Sequence, residues 1–128
     1  MTGPWELKNM MSRTPLHGML PNAEDVLSLE PEELAGYMLE WFNSVPNLQL
    51  SRYNISLDHC VQDYPGRYHQ QLQMALMEGW VWLEGHSFVA PLPGSQNRDG
   101  DWYFVTRRGE KIKKAADLKA YRESKNMC

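Results

Sequence analysis

Arg67, His69, Gln70 and Gln71 stand together at the opening of an amphipathic stretch. Side chains of these types hydrogen-bond to base edges and phosphates; glutamine pairs bidentately with adenine, and arginine with guanine. Arg98 lies in a polar segment downstream, and Arg107, Arg108 and Lys111 come after a short apolar run, where they would meet phosphate if they face outward. A second concentration is apolar: Met77, Trp80, Trp82 and Trp102. Tryptophans anchor protein interfaces where they are exposed and fill small cores where they are not. The glutamines read equally well as a solvated helix face, so the residues alone leave both alternatives open.

Covalent and metal chemistry have no such concentration. His17, His59, His69 and His86 are dispersed, and His59 and Cys60 are adjacent, a spacing that does not aim both side chains at one metal from a helix or strand. No CxxC, HExxH, GxSxG or phosphate-loop pattern occurs. Asp99 and Asp101 flank Gly100 as ordinary turn formers. The pairs Asp63–His69 and Glu84–His86 read as structural. The expectation is a non-enzyme with no catalytic, cofactor-binding or metal-ligating residues.

A chain of 128 residues, 42% hydrophobic and 23% charged, suits one domain with tails around a modest core. The net charge of −3 argues against indiscriminate nucleic-acid binding. Its distribution is polarised: no Lys or Arg falls between Arg13 and Arg52, whereas Arg107 to Lys125 holds eight basic and three acidic residues. Cys60 and Cys128, without metal spacing, fit a reducing cytoplasm rather than a disulfide framework. No apolar run approaches the ~20 residues that span a bilayer, and no signal-peptide pattern opens the chain. A cytoplasmic protein with no membrane partner is expected.

Local signals define the scaffold around these residues. Residues 1–21, with three Pro and two Gly, read as a mostly irregular arm with Trp5 and Leu7 as anchors. Residues 22–29 are ambiguous, with room for one helical turn. A helix is expected from Pro31 to about Ser44: proline suits the first helical position, Glu32 and Glu33 favour the positive end of the helix dipole, and Pro46 stops it. Leu34, Tyr37, Met38, Trp41 and Val45 recur at helical spacing. Residues 48–57 alternate loosely, as a strand or a short helix after a turn. Tyr64, Pro65 and Gly66 mark a turn. From Tyr68 a second long helix is expected, with Gly79 placed for close helix approach and Gly85 as its left-handed stop. Strands at 87–92 and 102–105 flank the polar loop GSQNRDGD. Thr106 is a good N-cap for the next helix, and Asp117 caps a restart after Lys114. The domain is expected over 22–124, with 125–128 as a tail.

The segments ALMEGWVWLEG, HSFVAPLPG, GDWYFVTRRGEKI and ADLKAYR resemble a winged-helix-like head found in bacterial and phage-associated proteins, where it often precedes a helical domain of the Ymh type. PEELAGYMLEWFNS and LSRYNIS fit the earlier part of the same head, so the resemblance covers roughly residues 30–123. The chain stops soon after Arg122, where the larger proteins continue with the Ymh-type domain. The resemblance implies an α+β winged-helix-like fold of about three main helices with a two- or three-stranded β-hairpin wing. It implies binding, with no catalytic residues. Duplex DNA is the first expected ligand, in a regulatory or phage-associated role, read by the helix that opens at Arg67, with Arg98 in the wing. The alternative is a protein-interaction or dimerisation module using the Trp-rich helix and the wing.

Overall fold

The computed structural model describes residues 15–46, 48–56 and 58–125. Short helices α1 (Pro15–Met19) and α2 (Ala23–Leu27) precede the first long helix, α3 (Pro31–Ser44). A 3-10 turn at Asn54–Ser56 and the short α4 (Asp58–Val61) lead to a second 3-10 turn, Gly66–Tyr68, and the longest helix, α5 (His69–Gly85). Strands β1 (Val89–Pro91) and β2 (Tyr103–Val105) form an antiparallel hairpin, followed by α6 (Arg107–Glu110) and α7 (Ala115–Lys125). The class is α+β.

Helix α3 begins and ends where local signals put it. Pro31 occupies the first turn, and the Glu30 N–H donates to Glu33 Oε1 at 2.9 Å, which satisfies one of the orphan donors of a helix start. Leu34, Met38, Trp41 and Phe42 are buried. The same stripe meets α5 at Gly79, where an added Cβ would lie 2.6 Å from Met38 Sδ. Gly79 therefore permits close approach of the two helices, as its position implies. On another side of α3, Gly36 admits the Ala115 carbonyl. Glu40 Oε1 there accepts the Ala115 N–H at 2.8 Å, capping α7 from a neighbouring helix.

The chain between α3 and α4 resolves into one isolated bridge, Leu50 to Tyr103, and then the 3-10 turn. Within residues 22–29, Ala23–Leu27 form α2, with the Asn22 side chain accepting the Glu24 N–H at 3.1 Å. Asp117 Oδ2 accepts the N–H groups of Lys113 and Lys114 at 3.2 and 3.0 Å, so α7 restarts where its capping residue indicates. Thr106 accepts the Gly109 N–H at 3.2 Å and donates to Ser87 O at 2.7 Å.

Two differences from the sequence expectation have clear causes. Gly85 is the last helical residue and has no positive φ; Ser87 takes the left-handed position, at φ 63°. The Ser87 N–H donates to Glu84 O at 3.2 Å and the Phe88 N–H to Leu83 O at 2.9 Å, the paired bonds of a Schellman end. Burial of Phe88 makes the reversal occur one residue before it rather than at the glycine. Within the expected arm 1–21, residues 15–19 are helical and Leu16 is buried in the core; the anchors Trp5 and Leu7 lie outside the described residues.

Tyr64 ties this N-terminal part to the body. It is buried, and its hydroxyl donates to Leu20 O at 2.7 Å. Burial, with the Asp63 charge adding to it, pushes the phenol from its ordinary value of 10 up to about 12. A raised folded-state value stabilises the fold fully below the unfolded value and is lost as pH rises through the folded one. Stability should therefore fall by on the order of 2 kcal/mol between pH 10 and about 12. Phenolate absorbance should show a tyrosine that ionises late, and Tyr64→Phe should remove that step. A titration with every tyrosine ionising near pH 10 would sink the assignment.

Candidate functional site

Trp80 organises the C-terminal end of α5. It is fully buried, with its ring edge-on to Tyr103 (centroids 5.0 Å apart) and Phe42 (6.0 Å). Its indole N–H donates to Glu84 Oε1 at 2.7 Å. The same oxygen accepts from Arg52 Nη2 at 2.8 Å, while Tyr103 OH donates to Glu84 Oε2 at 3.1 Å and Arg52 Nη2 lies 2.8 Å from Tyr103 OH. The contact with Tyr103, ahead of the Glu84 charge, raises the Arg52 guanidinium above its ordinary value. This network fastens β2 and the segment after Leu50 to the end of α5. It fixes where the hairpin leaves the body.

The expected base-reading residues divide. Arg67, Gln70 and Gln71 are exposed, with the Arg67 guanidinium 4.8 Å from the centre of the Tyr68 ring. His69 is half-buried, its Nε2 2.7 Å from Tyr64 O, so it faces the preceding turn rather than solvent. The exposed stripe of α5 continues through Met74, Glu78 and Val81, which adds no cation after Arg67. Arg98 is exposed between Asn97 and Asp99 in the hairpin loop. Asn97 braces that loop by donating to Leu92 O and Trp102 O and accepting from the Trp102 N–H. Arg107 and Lys111 are exposed, and Arg108 donates to His86 O at 2.8 Å. Arg108 thus sits at the C-terminal end of a 17-residue helix, whereas Arg67 precedes its start. At ~1.5 Å rise per residue they are roughly 25 Å apart. The two basic groups do not form one patch.

The expected protein-contact residues divide too. Trp80 belongs to the core and offers no surface, and Met77 is half-buried against that core. Trp82 is half-buried, stacked on His86 (centroids 4.0 Å) and Phe88 (5.6 Å). Of the four, Trp102 is the exposed one, at 40%.

Trp102 has companions that sequence reading missed. Leu92 is 42% and Phe104 39% exposed. The register pairs Ala90 with Phe104 and Pro91 with Tyr103, and the Leu92 N–H donates to Trp102 O at 2.9 Å. Directly opposed residues share a face and successive ones alternate. Ala90, Leu92, Trp102 and Phe104 therefore share the outward face, while Val89 and Tyr103 are buried on the inward one. The signal was present: both strands are near-continuous apolar runs, the pattern of a sheet covered on both sides. Beside this face a groove of about 400 Å³, lined by polar as well as apolar surface, separates the hairpin from the C-terminal end of α3.

Among the described residues no group of three His, Cys, Asp or Glu side chains converges as a metal site, and Cys60 is buried with its thiol 3.1 Å from Asn54 O. No helix of the described residues is long and apolar enough to cross a membrane. Comparison with protein-family models, curated proteins and solved structures gives no match.

Proposed function

We propose that this chain is a winged-helix-like binding module without enzymatic chemistry, and that it engages a protein partner through the outward face of its hairpin. The order α3, bridge at Leu50, α4, α5, β1 and β2 is the order expected of a winged helix, which supports this reading of the α+β fold. The observation that carries the partner class is the shared exposure of Leu92, Trp102 and Phe104 on one sheet face. Neighbouring apolar groups on one face can be covered together by a partner, and aromatic residues are the usual anchors. A duplex-DNA reading has one specific observation in its favour: Arg67, in the 3-10 turn before α5, and Gln70 and Gln71, on its first turn, are all exposed. It is weaker because the stripe beyond them carries Glu78 and no cation, whereas phosphate contacts dominate DNA affinity.

One set of variants separates the two. Phe104→Glu alters a partly exposed strand position and should cost about 1–2 kcal/mol, leaving the protein folded. It should abolish specific retention of partners from a lysate of the source cell, and any self-association seen by sedimentation at two concentrations. Arg67→Ala with Gln70→Ala should leave both unchanged. Salt-dependent binding of duplex DNA, lost in the Arg67 and Gln70 variant and kept in Phe104→Glu, would instead establish the nucleic-acid reading.

A further inference from the structure

Resting on the protein-partner reading, we propose that the partner enters as an extended peptide, added as one more strand at the β2 edge beside Val105. Hydrogen bonding fixes which residues face which edge. The Leu92 N–H donates to Trp102 O, and the Thr106 N–H to Phe88 O. In an antiparallel ladder these bonded pairs alternate with unbonded ones. Tyr103 and Val105 therefore turn their backbone groups away from β1. Tyr103 uses its N–H there, donating to Leu50 O at 2.8 Å. Val105 is next along that edge, and among the described residues its N–H and C=O have no hydrogen-bond partner. Leu50 is an isolated bridge, and the chain at Leu48 is already outside the ladder. A strand edge with unused backbone groups is a template for another strand.

The groove at this edge says what the strand carries. Val45, Leu48, Leu92 and Phe104 contribute to its apolar lining, and Glu110 is the charged side chain on it. A partner residue opposite Val105 places the residues before and after it on the Phe104 face. Two large apolar side chains, spaced i and i+2, then fill the groove, with a Lys or Arg at the Glu110 end. The small apolar area favours a peptide over a second folded copy as the occupant. Three side chains of roughly 200 Å² each, about 40% exposed, offer on the order of 250 Å². A stable interface between folded proteins needs about 800 Å² per partner. A peptide that gains backbone hydrogen bonds as well as apolar contacts suits the smaller face.

The probe is a random-peptide display library selected on the full chain, followed by titration of a synthetic winner into the isotope-labelled protein. The enriched sequences should alternate, with large apolar residues at i and i+2 and a basic residue nearby. Saturating peptide should slow amide exchange at Val105 by roughly tenfold or more. Phe104→Glu should weaken binding by about tenfold, as should N-methylation of the peptide residue opposite Val105, each equivalent to about 1.4 kcal/mol. Peptides that bind as helices, an unchanged Val105 amide, or a library that yields no enriched sequence would each overturn the strand-addition proposal. If wild type instead sediments as a dimer that Phe104→Glu dissociates, the hairpin face remains a protein-binding surface and the peptide occupant is wrong. If Phe104→Glu changes neither peptide binding nor association nor partner retention, both readings fall together.

Discussion

Trp80→Ala is expected to lower folding stability by about 3–5 kcal/mol, the range for emptying a buried aromatic site. The indole is fully buried between Phe42 and Tyr103, so neighbouring side chains cannot collapse onto the cavity without moving α3 or the hairpin. The loss also removes a donor from Glu84, which then holds Arg52 and Tyr103 alone. Domains of this size are stable by about 5–15 kcal/mol in total, so the variant should be partly unfolded at modest urea. Trp102→Ala, at a position 40% exposed, should cost clearly less, about 1–2 kcal/mol. Urea unfolding of the two variants side by side tests the contrast. Equal and small losses would mean that Trp80 is not the core residue described. The pair also guards functional experiments, because binding lost in Trp80→Ala would report lost structure, whereas binding lost in Trp102→Ala would report a lost contact.

Gly109→Ala should cost about 3 kcal/mol, the upper part of the usual range for overpacking. A Cβ at this position would lie 2.5 Å from Phe88 O and 2.6 Å from Val105 Cγ1. The first of these is backbone, held where the Thr106 N–H donates to it at 3.0 Å. No rotamer change relieves that clash; the base of the hairpin must open or α6 must shift away. The Asn43 side chain opposes the shift by donating to Gly109 O at 3.1 Å and Ile112 O at 2.7 Å. Gly79→Ala meets a softer obstacle, the Met38 thioether, and regains about 1 kcal/mol of helix propensity, so its loss should be smaller. Thermal or urea melts of both variants check the order. A Gly109→Ala protein as stable as wild type would show that the hairpin base tolerates the extra atom.

The functional surface was only partly legible in the sequence. Arg67, Gln70 and Gln71 are recognisable as an exposed helix opening because polar residues there interrupt a helical apolar period. Leu92 and Phe104 could have been singled out from the unbroken apolar character of both strands. Such runs say that two faces want cover, but not which face the rest of the domain covers. Trp80 and Trp82 show the same limit on a helix. The end of α5 is apolar nearly all round, so its period cannot say which tryptophan points inward.

Local chemistry determined the limits of α3, the Thr106 cap and the restart of α7 at Asp117, because each depends on bonds between residues a few positions apart. Other outcomes depended on the tertiary structure: the burial of Trp80, the left-handed Ser87 in place of Gly85, and the uncovered hairpin face. Each rests on groups far apart in the chain, such as Trp80 against Phe42 and Tyr103. Spacing along one element cannot report them, since burial is decided by what the other elements bring to the same place.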